Sequence, residues 1–343
     1  MDSEPNNDAH DFISSNASAA GLDALQTVDL DRLDLDPGTR TTLRRLQELG
    51  FDRTDLSSHL LKNPKRLAAV LVLLYPSSSP SHSSDSQESL TTPASSTLRV
   101  LLTTRSKSLR SHPGQTALPG GRVDEEDREP KILWGAFREA YEEVGLPFPS
   151  ALLSAASNTM QDFASIPHIP NIHILCTLSP HLSQWGLIVV PVIAYLSSPI
   201  SLVSTSTHEH NNLPSLTLRA NPTEVDRIFT HPLEGMLDPS LASGRGDLAD
   251  LAEKGSEDWP YEDELYNSTD RAYPQLGNSI YRMHRFRSVA SPIKGLTAEI
   301  LLRIARIAYA RDPVEPIEQY APGQVRGFEE ICRALDEYGG TRP

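Results

Sequence analysis

The chain has 343 residues, with 45 acidic against 31 basic side chains and a formal net charge of -14. That length holds one extended domain or two modest ones, and that charge speaks against a general affinity for nucleic acid or anionic membrane, so a phosphate-bearing ligand needs a local basic patch or a metal. Two cysteines, Cys176 and Cys332, are too few and too far apart for a disulfide framework; they fit a reducing compartment and read as small buried apolar residues.

In chain order, residues 1–26 are rich in Ser, Asn, Asp and Ala and are expected to be a disordered tail. The start has neither an Arg-rich amphipathic pattern nor an apolar secretory core. The longest apolar run, 67–75, is too short for a bilayer, so the expectation is a soluble intracellular protein. No SKL-type address ends the chain. Leucines recur at helical spacing around "TTLRRLQELG", with Gly50 placed as a stop. Two β-favouring runs follow, "RLAAVLVLLY" and "TLRVLLTTR". Between them lies the Ser/Pro/Thr stretch of 76–97, which reads as the expanded loop of a hairpin.

The next element is a helix over 130–144, with Asp127 as candidate N-cap, Pro130 in the first turn and Gly145 as the stop. "NIHILCTLS" and "GLIVVPVIAYLS" read as strands, followed by a polar loop at 204–212. "LTLRANPTEVDRIFTHPLEGML" reads as a strand giving way to a short helix, and 238–270 as an acidic surface insertion. "NSIYRMHRFRS" alternates like a strand. "LTAEILLRIARIAYA" sets Leu296, Ile300, Ile304 and Ile307 on one helical face. An amphipathic piece at 325–338 closes the chain. The pattern predicts an α/β (α+β) sandwich with a sheet between helices, a main domain over 35–312 and a C-terminal extension over 313–343.

The chemistry concentrates in the 130–144 helix. Glu139, Glu142 and Glu143 stand at i, i+3 and i+4, which projects three carboxylates from one face within a turn. Arg138, four residues before Glu142, offsets part of their repulsion, and the surplus negative charge is what a divalent cation neutralises. A bare cluster of this kind is more often a solvated acidic face. Here the preceding "LPGGRVDEED" adds a Pro-Gly-Gly turn, where backbone approaches a ligand closely at Gly120 and Gly121, and four more acids. Arg105 and Arg110, just upstream, are candidate phosphate-binding cations, with pairing to the acids of 124–129 as the bland alternative.

"REAYEEVGL", 138–146, resembles the core of the Nudix box. The resemblance implies an α/β/α sandwich with a mixed sheet and a loop-helix-loop box. It also implies that Glu142 and Glu143 are the main ligands of Mg²⁺ or Mn²⁺, that Glu139 is a further ligand or water-orienting group, and that Arg138 holds a glutamate in place. The family pattern sets a Gly fourteen residues before the Arg, whereas here Gly121 lies seventeen before Arg138, so the upstream acid is open among Asp124, Asp127 and Glu129. A second match narrows the branch. "LLTTRSKSLRSHPGQTALPGG" is similar, at ten fixed positions from Leu101 to Gly121, to the signature of the coenzyme A diphosphatases, with Thr116 and Leu118 as departures.

What this resemblance implies is metal-dependent hydrolysis of coenzyme A or an acyl derivative to 3',5'-ADP and 4'-phosphopantetheine, with no protein partner evident. Family members of this kind work in peroxisomes or mitochondria. The alternatives are a Nudix hydrolase of ADP-ribose or NADH, or a silent Nudix-fold binding module. Glu224 is read either as one more acid near the metals or as a cap or surface acid. His112, His231 and His284 lack ligand spacing, and Trp134 and Trp185 read as packing residues.

Overall fold

A computed structural model of the protein describes residues 28–49, 66–77, 97–128, 130–156, 165–183, 186–197, 200–202, 216–242, 251–273 and 277–327, with isolated positions between 330 and 337. The expected 1–26 tail, most of the Ser/Pro/Thr loop, the 204–212 loop, Glu129, Trp185 and Cys332 lie outside the described residues, as does half of the 325–338 piece.

A 3-10 turn, Leu30–Arg32, leads into helix α1 (Pro37–Glu48). Asp36 caps α1: its carboxylate accepts from the Thr39 N–H at 2.9 Å, satisfying one of the free donors of the first turn. The expected hairpin forms between β1 (Leu67–Pro76) and β2 (Leu98–Arg105), antiparallel with Leu74 opposite Val100. β3 (Thr116–Ala117) folds back on β2, and β4 (Gly120–Arg122) pairs with the other end of β1. Helix α2 (Lys131–Val144) follows and stops at Gly145, whose φ of 69° suits a residue without a side chain.

The chain continues through β5 (Phe148–Pro149), α3 (Ser150–Ala156), β6 (His168–Ile169), β7 (Ile172–Thr177), β8 (His181–Leu182) and β9 (Ile188–Leu196). Then come β10 (Ile200–Leu202), β11 (Leu216–Leu218), β12 (Val225–Pro232), β13 (Tyr266–Tyr273), β14 (Ser279–Phe286), β15 (Ile293–Lys294) and α4 (Gly295–Tyr309).

The main sheet runs β12-β2-β1-β9-β7, and it is mixed: β1 and β9 are parallel, their neighbours antiparallel. β1 is apolar on both faces because both are covered. Ala69, Leu71 and Leu73 face α2, while Ala68, Val72 and Leu74 join the core that holds α1 and α4. This is the expected α/β/α sandwich. Ile300 and Ile304 of α4 are buried, with Leu296 and Ile307 packed at the edge. Among the described residues no helix is long and apolar enough to cross a membrane.

The structure corrects three expectations. The 216–237 stretch is two strands, β11 and β12, parted by a turn at 221–224, and its short helix is a 3-10 turn, Leu233–Met236. The 238–270 stretch is not wholly a surface insertion. Trp259 within it is fully buried, its indole N–H donating to the Asp263 carbonyl at 2.7 Å, and its end begins β13. Asp127 is not the cap of α2: Pro130 holds that place without a side-chain bond, and Asp127 is turned inward to Arg138.

Candidate active site

Two glycines set the floor of the site. Gly120 has a φ of 150°, and a Cβ there would lie 2.4 Å from the Ala69 carbonyl oxygen, so only glycine lets β4 lie this close to β1. A Cβ on Gly121 would stand 2.5 Å from the Glu139 carboxylate. The close approach expected of this turn is therefore made to β1 and to the glutamates of α2.

Helix α2 turns Leu133, Phe137, Ala140 and Val144 into the core, which leaves its glutamates on the β4 side. The three are not equivalent. The Glu142 side chain is 47% exposed, Glu139 19% and Glu143 only 6%. Burial, then the Glu139 charge, push the Glu143 carboxyl up to about 8, against the opposing pull of the Gly120 N–H at 3.3 Å and of Arg105. Burial also raises Glu139, with the charges of Glu142 and Glu224 adding to it and Arg138 opposing.

Arg138 is the hub that lets these acids coexist. Its Nε donates to Asp127 Oδ1 at 2.8 Å and its Nη2 to Asp127 Oδ2 at 3.3 Å, a two-pronged pair with a carboxylate that is 3% exposed. Nη1 reaches Glu139 at 3.1 Å and Glu142 at 3.2 Å, and Nη2 also donates to the Arg122 carbonyl at 3.0 Å. The hydrogen bond with Asp127 leads the effects that raise the Arg138 pKa further above its ordinary value. Of the three acids left open for the upstream position, Asp127 makes the buried pair and Asp124 a more exposed contact at 3.4 Å.

Arg105, at the end of β2, sets Nη1 4.0 Å from Glu143, and its buried Nε has no hydrogen-bond partner among the described residues. Glu224 enters from the turn before β12, held by its backbone: its N–H donates to Asn221 O at 3.0 Å and its carbonyl accepts from Ser106 N at 2.8 Å. Its charge raises both Glu139 and Glu143, which places it with the cluster; the helix it was read as capping does not exist there. Arg110 is exposed on the β2–β3 loop and makes no ion pair among the described residues, so the structure does not bring it to the glutamates.

The remaining histidines stand apart. His231 is buried, and burial followed by the Arg99 charge lowers it to about 3, so it stays neutral. His284 lies in a buried network with the Tyr266 hydroxyl at 3.0 Å and the Gln319 carbonyl at 2.9 Å. His112 is an exposed turn residue, and Trp134 packs on Phe148 with ring centroids 5.2 Å apart.

The donor set, all carboxylate oxygens with two of them raised by burial and mutual repulsion, fits a hard divalent cation. As placed, no group of three or more His, Cys, Asp or Glu side chains among the described residues stands ready to enclose one. Glu139 and Glu142 are instead drawn to Arg138.

No family model matches the chain. In sequence it is 30% identical over 220 residues to "Nudix hydrolase 15, mitochondrial" of Arabidopsis thaliana, covering 63% of this chain and 55% of that protein. To "Nudix hydrolase 22, chloroplastic" of the same plant it is 31% identical over 247 residues, 72% of this chain and 60% of that protein. The "Peroxisomal coenzyme A diphosphatase" of Caenorhabditis elegans is 31% identical over 141 residues, 41% of this chain and 44% of that protein. The chain thus spans between 55% and 60% of the two plant proteins it matches. Among solved structures, the NUDIX domain of Shewanella oneidensis NrtR complexed with ADP ribose overlaps at 19% identity and a TM-score of 0.28, covering 52% of this chain and 85% of that one, too loosely to carry an argument.

Proposed function

We propose that this chain, similar in sequence to Nudix hydrolases, hydrolyses the pyrophosphate bond of a nucleoside diphosphate derivative, and that coenzyme A or an acyl-coenzyme A is the substrate. The observation that carries the reading is the convergence of Glu139, Glu143 and Glu224 beside Arg105 and the Gly120–Gly121 backbone. The coenzyme A assignment is further supported by the ten-position signature of 101–121 and by the worm relative.

In this reading Glu139, Glu142 and Glu143 hold Mg²⁺ or Mn²⁺. When bound, such an ion polarises phosphoryl oxygens and lowers the pKa of the attacking water. Arg138 with Asp127 fixes the glutamates and touches no substrate. Arg105 offers its buried Nε, unpartnered among the described residues, to a phosphate oxygen, a charge-assisted bond in a site that is otherwise strongly negative. Gly120 and Gly121 keep the floor low enough for a diphosphate to lie against the helix. Water oxygen bonds to one phosphorus, the bridging anhydride bond breaks, and the water proton passes to a carboxylate, in this reading Glu139 or Glu224. Two phosphate monoesters leave, 3',5'-ADP and (acyl-)4'-phosphopantetheine. The substrate is a small molecule; nucleic acid, membrane and protein have no part in this proposal, and the compartment follows the organelles of the relatives.

The test is product identification after incubation with coenzyme A, NADH and ADP-ribose in parallel, each with Mg²⁺, Mn²⁺ or chelator. Release of 3',5'-ADP from coenzyme A in the metal arms alone is the expected result. Cleavage of NADH or ADP-ribose only would keep the reaction and discard the substrate, and no cleavage at all would favour a silent binding module.

A further inference from the structure

At the end of α4 the chain collects positive charge against its overall balance. A groove with about 850 Å³ of space is lined by Arg45 from α1, Arg303 and Arg306 from α4, and Arg311 and Arg326 from the segments that follow, with Tyr320 between them. α4 has 15 residues and is about 22 Å long at the usual rise. Its other end meets β3 through Thr297, whose hydroxyl donates to the Thr116 carbonyl at 3.4 Å, on the side of β2 that carries Arg105. α4 also lies on the sheet face opposite α2. The groove is therefore separate from the glutamate cluster.

Among the described residues, three carboxylates contact these arginines. Asp312 pairs with Arg306, Glu234 with Arg311 at 2.9 Å, and Glu330 accepts from the Arg326 backbone N–H at 3.0 Å. Arg45 spends one donor on the Ala308 carbonyl at 3.1 Å, one of the free carbonyls of the α4 end. Arg303 makes no hydrogen bond or ion pair among the described residues, and the Arg326 guanidinium makes none either, lying instead 5.2 Å over the Tyr320 ring. Each guanidinium carries five N–H donors, and among the described residues no more than two of them are engaged on any of these five. Forked donors of this kind match phosphate oxygens.

We propose that this groove binds a small multiply phosphorylated anion, a di- or triphosphate group, at a site distinct from the glutamate cluster. A long polyanion fits less well. The net charge of -14 repels it outside the groove, whereas a compact phosphate chain enters a concave site with five arginines about it.

Isothermal titration of the full chain with tripolyphosphate, pyrophosphate and inorganic phosphate, in chelator and low salt, tests this. Chelator keeps the glutamates from taking up phosphate through a metal. Wild type is expected to bind tripolyphosphate most tightly, Arg303→Gln/Arg326→Gln at least tenfold more weakly, and Glu142→Gln within twofold of wild type. Arg303→Gln alone, which breaks no hydrogen bond or ion pair among the described residues, carries the comparison if the double variant unfolds early, with an expected loss of about threefold. Three results would overturn the proposal: no binding by wild type, binding lost in Glu142→Gln but kept in the arginine variants, or capture by heparin, RNA or anionic vesicles without binding of tripolyphosphate.

Discussion

Replacing Arg138 by alanine removes the guanidinium that faces Asp127 through bonds of 2.8 and 3.3 Å and leaves that carboxylate, 3% exposed, with the Asp124 N–H at 2.7 Å as its one remaining hydrogen-bond donor among the described residues. Breaking a buried pair on one side costs about 3–5 kcal/mol, because the remaining charge stays in a poorly solvating place. Arg138 itself is 24% exposed, which favours the lower end of that range, about 3 kcal/mol. For an ordered region of this size about 2–4 °C is lost per kcal/mol, so the melting temperature should fall by roughly 6–12 °C. Thermal and urea unfolding followed by circular dichroism, in chelator, read this directly. Asp127→Asn in the same chain should recover much of the loss, since a neutral amide needs no counter-charge, and the double-mutant cycle should give a coupling above about 1.5 kcal/mol. A loss below about 1 kcal/mol in Arg138→Ala, or strict additivity with Asp127→Asn, would refute the hub role.

Glu143 predicts a pH dependence with a definite sign. Its folded pKa, about 8, lies above its ordinary 4.5, so the stability it contributes is complete below pH 4.5 and is lost as pH rises through 8. Metal-free protein should therefore weaken between pH 5 and 9, and Glu143→Gln should flatten that decline; an unchanged urea-midpoint profile in the variant would show the group titrates normally. The two glycines should separate stability from activity. Gly120→Ala meets fixed backbone and should cost about 2–3 kcal/mol, whereas Gly121→Ala meets the movable end of Glu139 and should lower kcat while melting within a few degrees of wild type. Equal melting temperatures for the two would contradict the packing described. If Arg110 meets the 3'-phosphate of coenzyme A, Arg110→Ala should raise KM for coenzyme A more than for the 3'-dephospho analogue, and equal effects would place it elsewhere.

The helix that carries the glutamates was legible because its signals are local: a proline in the first turn, a glycine stop and carboxylates at i, i+3 and i+4. The β1–β2 hairpin was legible through a loop of twenty-odd residues because both strands are continuous apolar runs. What escaped depends on contacts far apart in sequence. Asp127 sits three residues before Pro130 and looks like a cap, yet the arginine eleven residues on claims it. The charge of Glu224 acts on Glu139 and Glu143 because β12 pairs with β2, a register no local pattern encodes. Within 238–270, acidic composition hid Trp259, and "YNSTDRAY" becomes β13 through pairing with β14 rather than through alternation of its own side chains. His181 and Glu299, buried together at 3.1 Å, are 118 residues apart and gave no signal at all.

The most direct measurement is Mn²⁺ titration followed by the loss of its free-ion electron paramagnetic resonance signal, run beside coenzyme A turnover, on wild type and Glu142→Gln. The account predicts saturable Mn²⁺ binding by wild type, at least tenfold weaker binding in the variant, and turnover abolished in the variant with its melting temperature unchanged or slightly raised, since one repelling charge is gone. Wild-type affinity and turnover in Glu142→Gln would contradict the claim that the α2 glutamates form the metal-holding catalytic site.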